Sequence, residues 1–282
     1  MPWRDTQSSR LRRLFLEGFS AMDVAEPLVS FDETAKAETV CQFMQEKRFA
    51  LVGVRKKGLV EGYVRREDLI SGTCGDHFQP FTPEDDLVPD TANLIDVVNS
   101  LAINQQCFVT ILDRVGAIIT LTDLEKPPMR MFLFGMITII EMTLTEILRQ
   151  RYTNDSWQEL LSEKRLEMAK KLQEERNRRG QQVELLDCLQ FGDKGWILTY
   201  DEELRVSLGH KSRRETRNAI KEFETLRNNL AHTQEIIPSG WPRIVIACSR
   251  GAIRMDSLQR PGKRRVTAAE FAAQADLIGR RL

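Results

Sequence analysis

Two stretches about 55 residues apart, GYVRREDL (62–69) and AIITLTDL (117–124), constrain this chain more than any other feature. Each closes the same order of patterns. A helical stretch comes first. In ETAKAETVCQFMQEKR (33–48), Ala35, Val40, Phe43 and Met44 fall near a 3.6-residue period; in VPDTANLIDVVNSLAINQ (88–105), Leu94, Val97, Val98 and Leu101 share one face. Two β-rich runs follow in each copy. FALVGV (49–54) and LVEGYV (59–64) flank a turn at RKKG, and CFVTIL (107–112) and AIITL (117–121) flank one at DRVG. The period is too long for a solenoid unit and occurs only twice. It predicts a tandem pair of small α/β modules, at about 20–77 and 78–126.

After PPM (127–129) the texture changes. MRMFLFGMITIIEMTLTEILRQRY carries an apolar stripe with few breakers, and SWQELLSEKRLEMAKKLQEERNRRG reads as one helix opening at Ser156 with Glu159 three residues on. VELLDCLQFGDKGWIL is a shorter helix, and SRRETRNAIKEFETLRNNLAH (212–232) is a long one with Ser212 and Glu215 as a capping box. Residues 127–236 therefore predict an antiparallel helical bundle. Residues 1–19 form a lead-in helix. Residues 237–282 form an extension with a short strand at RIVIA (243–247) and a closing helix capped by Thr267. The expected class is α+β, mostly α.

Charge narrows the partners. The 41 basic and 41 acidic residues give a net charge of +0, which argues against a constitutive nucleic-acid coat protein but leaves room for a local basic face. Residues 211–227 supply one, with Lys211, Arg213, Arg214, Arg217, Lys221 and Arg227 against Glu215, Glu222 and Glu224; Lys263, Arg264 and Arg265 add to it. Arg213, Arg214, Arg217 and Lys221 are the candidate RNA contacts. A solvated helix laced with Arg–Glu pairs accounts for the same composition. Five scattered cysteines without a Cys-x-x-Cys pair, and three histidines, give no readable metal site and point to a reducing compartment. The longest apolar run, MFLFGMITII (131–140), is about half a bilayer span and reads as the buried face of a helix. A cytoplasmic protein is expected, with no membrane partner.

The paired turns KKGLVEGYVRREDL and DRVGAIITLTDL resemble those of CBS domains, which occur in tandem as one pseudo-symmetric (Bateman) unit; the resemblance covers about 20–126. GAIITLTD (116–123) is similar to the adenosine-nucleotide signature of ligand-binding CBS domains: Gly, an apolar pair, Ser or Thr, two residues, Asp. A nucleotide pocket needs a short hydroxyl for phosphate and an acid for the ribose hydroxyls. The resemblance implies that Thr120 touches phosphate and Asp123 the ribose, with backbone from Thr91 to Leu94 framing the base and ATP, AMP or a related adenosine nucleotide as regulator. In the first copy Asp68 holds the acid position but Arg65 replaces the hydroxyl. The alternative is a pair that only dimerises, with Asp68 and Asp123 as helix N-caps.

RNNLAH (227–232) places Arg227, Asn228 and His232 near a helix end. Asn228 and His232 are four apart and share a face, whereas Arg227 lies about 140° from His232 around the axis. One helix therefore cannot bring Arg227 and His232 onto one spot; two copies packed face to face can. Imidazole moves a proton near neutral pH, and a guanidinium holds phosphate and the charge developing on it. The arrangement resembles the HEPN superfamily over about 128–236, whose active members are dimeric, metal-independent ribonucleases of host defence, toxin–antitoxin systems and RNA processing. It implies a catalytic set of Arg227, Asn228 and His232, with Glu141 orienting Arg227. It also implies a homodimer, RNA as substrate, no catalytic cofactor, and an antitoxin or other regulatory partner. Glu141 as a pairing acid at the domain join, and His232 as a cation at a helix C-terminus, are the plainer alternatives. His77 and His210 are given no role.

Overall fold

A computed structural model of the chain describes residues 7–82, 85, 87–104, 106–207, 210–232, 234, 236, 257–258 and 266–267. Contacts divide the chain into two units, Leu16–Arg130 and a second made of Met1–Phe15 with Met131–Leu282. The lead-in segment is α1 (Gln7–Glu17).

The first unit then runs β1 (Glu26–Pro27), β2 (Ser30–Asp32), α2 (Ala37–Lys47), β3 (Leu51–Lys56), β4 (Leu59–Arg65), β5 (Gln79–Pro80), β6 (Leu87–Pro89), α3 (Leu94–Asn104), β7 (Gln106–Ile111) and β8 (Arg114–Thr120). The sequence repeat reappears as register. β3 and β4 pair antiparallel with Leu51 opposite Arg65 and a bulge at Val54/Arg55; β7 and β8 pair with Gln106 opposite Thr120 and a bulge at Val109/Thr110. Each hairpin gains one parallel strand, β2 on β3 and β6 on β7, and one antiparallel edge, β5 on β4 and β1 on β8. The sheets are ordered β2-β3-β4-β5 and β1-β8-β7-β6. Because β1 lies at the start of the first module yet completes the second sheet, the two modules interlock.

Both hairpins turn through two residues with left-handed backbone, Lys57 and Gly58 in one, Leu112 and Asp113 in the other. That geometry matches strand twist and explains a two-residue turn in each copy. The second turn therefore begins one residue before DRVG. Residues 88–105 also differ from expectation. Val88 and Pro89 extend as β6, and the helix begins only at Leu94, where Asn93 Oδ1 accepts the N–H groups of Ile95 and Asp96 at 2.9 and 3.0 Å. Module cores form under the sheets, from Val40, Met44, Val52, Val54 and Val64 in the first. Tyr63, Phe81 and Phe108 pack with centroids 4.8–5.8 Å apart, tilted or edge to face, in a cluster that also holds Leu28, Leu51 and Val115.

The helical unit comprises most of α4 (Pro127–Arg151), then α5 (Glu163–Arg178), α6 (Phe191–Tyr200), α7 (Glu202–Ser207) and α8 (Arg213–Ala231), with a small hairpin of β9 (Ser257–Leu258) and β10 (Val266–Thr267). α4 is long and apolar enough to cross a membrane by length and composition, and half of its most apolar window is buried within the chain. The predicted helix 156–180 is two elements. Ser156–Leu160 is a 3-10 turn entered through left-handed Asp155, with Trp157 buried and its Nε1 donating to Asp155 Oδ1; the α-helix starts after Ser162. Likewise Leu185–Cys188 is a turn and α6 begins at Phe191. The core gathers Leu144, Leu148, Trp157, Ala169, Ile197 and Leu198. Thr267 lies in β10; the strand expected at 243–247 and the closing helix expected after Thr267 lie outside the described residues.

Candidate functional site

In the second module, Thr120 and Asp123 are brought together, but by each other. Asp123 Oδ2 accepts the Thr120 backbone N–H at 2.7 Å and its hydroxyl at 2.8 Å. Its Oδ1 faces Lys126 Nζ at 2.9 Å, which also reaches Glu26 Oε1 at 2.5 Å and donates to the Val24 carbonyl at 2.6 Å. Burial lowers the Lys126 pKa, but the bonds to Glu26 and Asp123 outweigh it and hold the ammonium above the ordinary lysine value. Asp123 is itself buried. The same Ser/Thr-x-x-Asp clasp closes turns at Ser20/Asp23, Thr73/Asp76 and Thr82/Asp85. At Asp76 the backbone and hydroxyl bonds from Thr73 hold the carboxyl below the usual carboxylate range. A motif used four times in one unit is first of all a cap. Asp123→Ala is accordingly expected to lower stability by about 1–2 kcal/mol, read as a shift in urea midpoint.

The first module departs from this pattern. Asp68 caps nothing through its side chain; its Oδ2 accepts Gln79 Nε2 at 2.9 Å. Arg65 lies over the Tyr63 ring at 5.6 Å, and Tyr63 donates its hydroxyl proton to Asp85. Thr91 is exposed in the turn ahead of α3.

α8 positions the other candidates. Ser212 Oγ accepts the Glu215 N–H at 3.1 Å, and Glu215 in return accepts the Lys211 N–H at 2.9 Å, so the helix starts where the capping pattern placed it. Its buried face carries Thr216, Leu226 and Leu230. It packs on α6 at a close approach: a Cβ on Gly195 would lie 2.3 Å from Ile220. His232 is the C-terminal cap, its backbone N–H bonded to the Asn228 carbonyl.

The exposed face is ordered. Arg214, Arg217, Lys221, Thr225, Asn228 and His232 are all exposed and fall within an arc of about 80°, over about 27 Å of helix. Arg227 is also exposed but lies off this stripe, as its spacing requires. Among the described residues Arg213, Arg214, Arg217, Lys221 and Arg227 form no ion pair. By contrast α5 is laced with i,i+4 pairs, Glu167–Lys171, Glu174–Arg178 and Glu175–Arg179. The basic residues of α8 are therefore left available, and two of them stack: Arg213 over Tyr200 at 4.9 Å and Arg217 over Trp196 at 4.7 Å. Neither ring was marked by the sequence, because helix spacing within α6 says nothing of what α8 lays over it.

Of the three histidines, His77 Nε2 lies 2.7 Å from the Ser71 carbonyl and His210 Nδ1 lies 3.1 Å from the buried Thr216 hydroxyl. The His232 ring alone makes no hydrogen bond among the described residues. Glu141 is paired with a lysine. Its Oε1 lies 3.2 Å from Nζ of buried Lys194, a pairing between α4 and α6, and it makes no contact with Arg227 among the described residues. A lysine taken out of water is stabilised by such a counter-charge. Among the described residues no three His, Cys, Asp or Glu gather as metal ligands.

No known family profile matches the chain, and no curated protein matches it. Solved structures do show similarity. The CBS-pair protein CBSX2 in complex with AMP shares 19% identity, covering 38% of this chain and 93% of its own, with a TM-score of 0.34. The CBS domain of a bacterial CNNM/CorC family Mg2+ transporter in complex with ATP shares 17%, covering 42% and 94%, with a TM-score of 0.33. The CBS domains of a transcriptional regulator from Streptococcus pneumoniae share 16%, covering 38% and 98%, with a TM-score of 0.34. The solved structures to which the N-terminal two-fifths of this chain is similar are CBS-domain pairs.

Proposed function

We propose that the chain is a homodimeric endoribonuclease of the HEPN type, working without a metal and governed by an adenosine nucleotide at a CBS pair. One observation carries the catalytic half: the His232 ring stands exposed at the end of a stripe of cations on α8, and among the described residues the ring makes no hydrogen bond and the cations no ion pair. In the reaction the substrate 2′-oxygen bonds to phosphorus and the P–O5′ bond breaks. His232 moves the proton, while Arg227 of the facing copy holds the charge on the phosphoryl oxygens. The products are a 2′,3′-cyclic phosphate and a 5′-hydroxyl. Asn228, one turn from His232, orients the phosphate or ribose.

The regulatory half rests on the repeated β-α-β-β register and on the pair Arg65/Asp68 and Thr120/Asp123 at equivalent places. A nucleotide at Asp123 has to replace Lys126 or share its carboxylate. Lys126 immediately precedes α4, so occupancy changes the start of the helix that leads toward the bundle. This is coupling between two sites. Defence or stress-triggered RNA degradation is the setting in which we place it, with an antitoxin-like partner as a further restraint. A second reading, a non-catalytic sensing or RNA-binding dimer, is favoured by the divergence of Arg227 from His232 within one chain.

The test is labelled RNA incubated in chelator with the unaltered chain and with His232→Ala, with and without AMP and ATP. Cleavage by the unaltered chain alone, modulated by nucleotide, supports the enzyme. Equal cutting by both, or by neither, leaves the sensing dimer.

A further inference from the structure

Two aromatic rings on α6 and two guanidinium groups on α8 form a ladder outside the catalytic candidates. Trp196 and Tyr200 are one turn apart, their rings 5.4 Å apart and edge-on. Trp196 is fixed because its Nε1 donates to the Leu160 carbonyl at 2.9 Å. Tyr200 is 38% exposed at the end of α6. Arg213 and Arg217, also one turn apart, lie over the two rings. Each guanidinium carbon thus lies within 5 Å of an aromatic ring centre. A guanidinium is planar, weakly hydrated and suited to stack on a planar partner. Arg217 belongs to the ladder and to the cationic stripe that ends at His232, so a strand whose phosphates follow the stripe presents its bases beside the rings.

We infer that Trp196, Tyr200, Arg213 and Arg217 form a base-stacking platform that selects unpaired, single-stranded RNA and feeds it along α8 toward His232. Duplex RNA keeps its bases stacked on one another and gains nothing from the ladder, whereas unpaired bases stack on aromatic and guanidinium planes. Sequence preference is weak, since every base has a flat face. The inference rests on the ribonuclease reading for its substrate, but its test does not depend on cleavage.

Full-length chain carrying His232→Ala is titrated against labelled oligouridylate and, separately, against inorganic polyphosphate, which has charge but no bases. Arg213→Lys keeps the charge and removes the plane; Tyr200→Leu removes the ring from an exposed position. Each is expected to weaken oligouridylate binding by about 10-fold while leaving polyphosphate binding within about 2-fold. Equal losses on both probes would show charge alone at work and overturn the platform. Unchanged oligouridylate binding, or none by the His232→Ala chain, would overturn it too. Cleavage by the unaltered chain then decides the ribonuclease reading independently. If Tyr200→Leu unfolds, Arg213→Lys, which leaves both rings in place, carries the decision.

Discussion

His232→Ala is expected to reduce RNA cleavage by about 10²–10⁴-fold while leaving the thermal midpoint unchanged. The reason for the large first effect is chemical: a proton must leave the 2′-oxygen and one must reach O5′, and imidazole does this near neutral pH. The reason for the small second effect is structural. The ring is exposed and bonded to nothing among the described residues, so its removal costs the fold little. Arg227→Ala is expected to follow the same pattern, with cleavage down about 10²–10³-fold from loss of charge stabilisation. A drop in both activity and midpoint would mean that these side chains hold the helix end together.

Gly195→Ala is expected to destabilise the helical unit by about 1–3 kcal/mol. The added Cβ would lie 2.3, 2.7 and 2.8 Å from three atoms of Ile220, so α6 and α8 must part or Ile220 must leave its rotamer. Gly192, three residues earlier, gives more room, with Glu224 Oε1 at 3.0 Å at the end of a flexible side chain. The site specificity is tested by a double-mutant cycle: Ile220→Ala removes the clashing atoms, and combined with Gly195→Ala it should recover much of the loss. Activity should fall with Gly195→Ala alone, because α8 carries the proposed catalytic residues Arg227, Asn228 and His232. Additive losses in the cycle would show that the close approach is not what the glycine serves.

How much of this was legible in the sequence depended on length and locality. The hairpins β3–β4 and β7–β8 were visible because each is a six- or seven-residue run meeting a turn, and the repeat between them was visible in GYVRREDL and AIITLTDL. The edge strands β1, β2, β5 and β6 have two or three residues, too few for any period, and β6 was absorbed into the helix that follows it. α8 was legible to its cap because Ser212 and Glu215 are local to one another. The break before Ser162 was not, since it depends on buried Trp157 and on the Leu160 carbonyl held by Trp196, thirty-six residues on.

The site divided along the same line. The divergence of Arg227 and His232 follows from helical geometry alone. Glu141 was given to Arg227 for want of any signal that Lys194, fifty-three residues away, is buried beside it. Thr120 and Asp123 were read as ligand contacts from a spacing that serves equally as a turn clasp, and their mutual bonds measure 2.7 and 2.8 Å. Trp196 and Tyr200 carried no signal at all, because their meaning comes from the arginines laid over them.

The central claim is that the active site is shared, and mixing two inactive chains tests it most directly. Arg227→Ala and His232→Ala chains are each purified, shown to be folded, and combined in equal amounts under conditions that exchange subunits. If His232 of one copy works with Arg227 of the other, half of the dimers are mixed and each has one intact site. The mixture should then cleave at about a quarter of the wild-type rate. Formation of the mixed dimer with no recovery of cleavage would contradict the shared site.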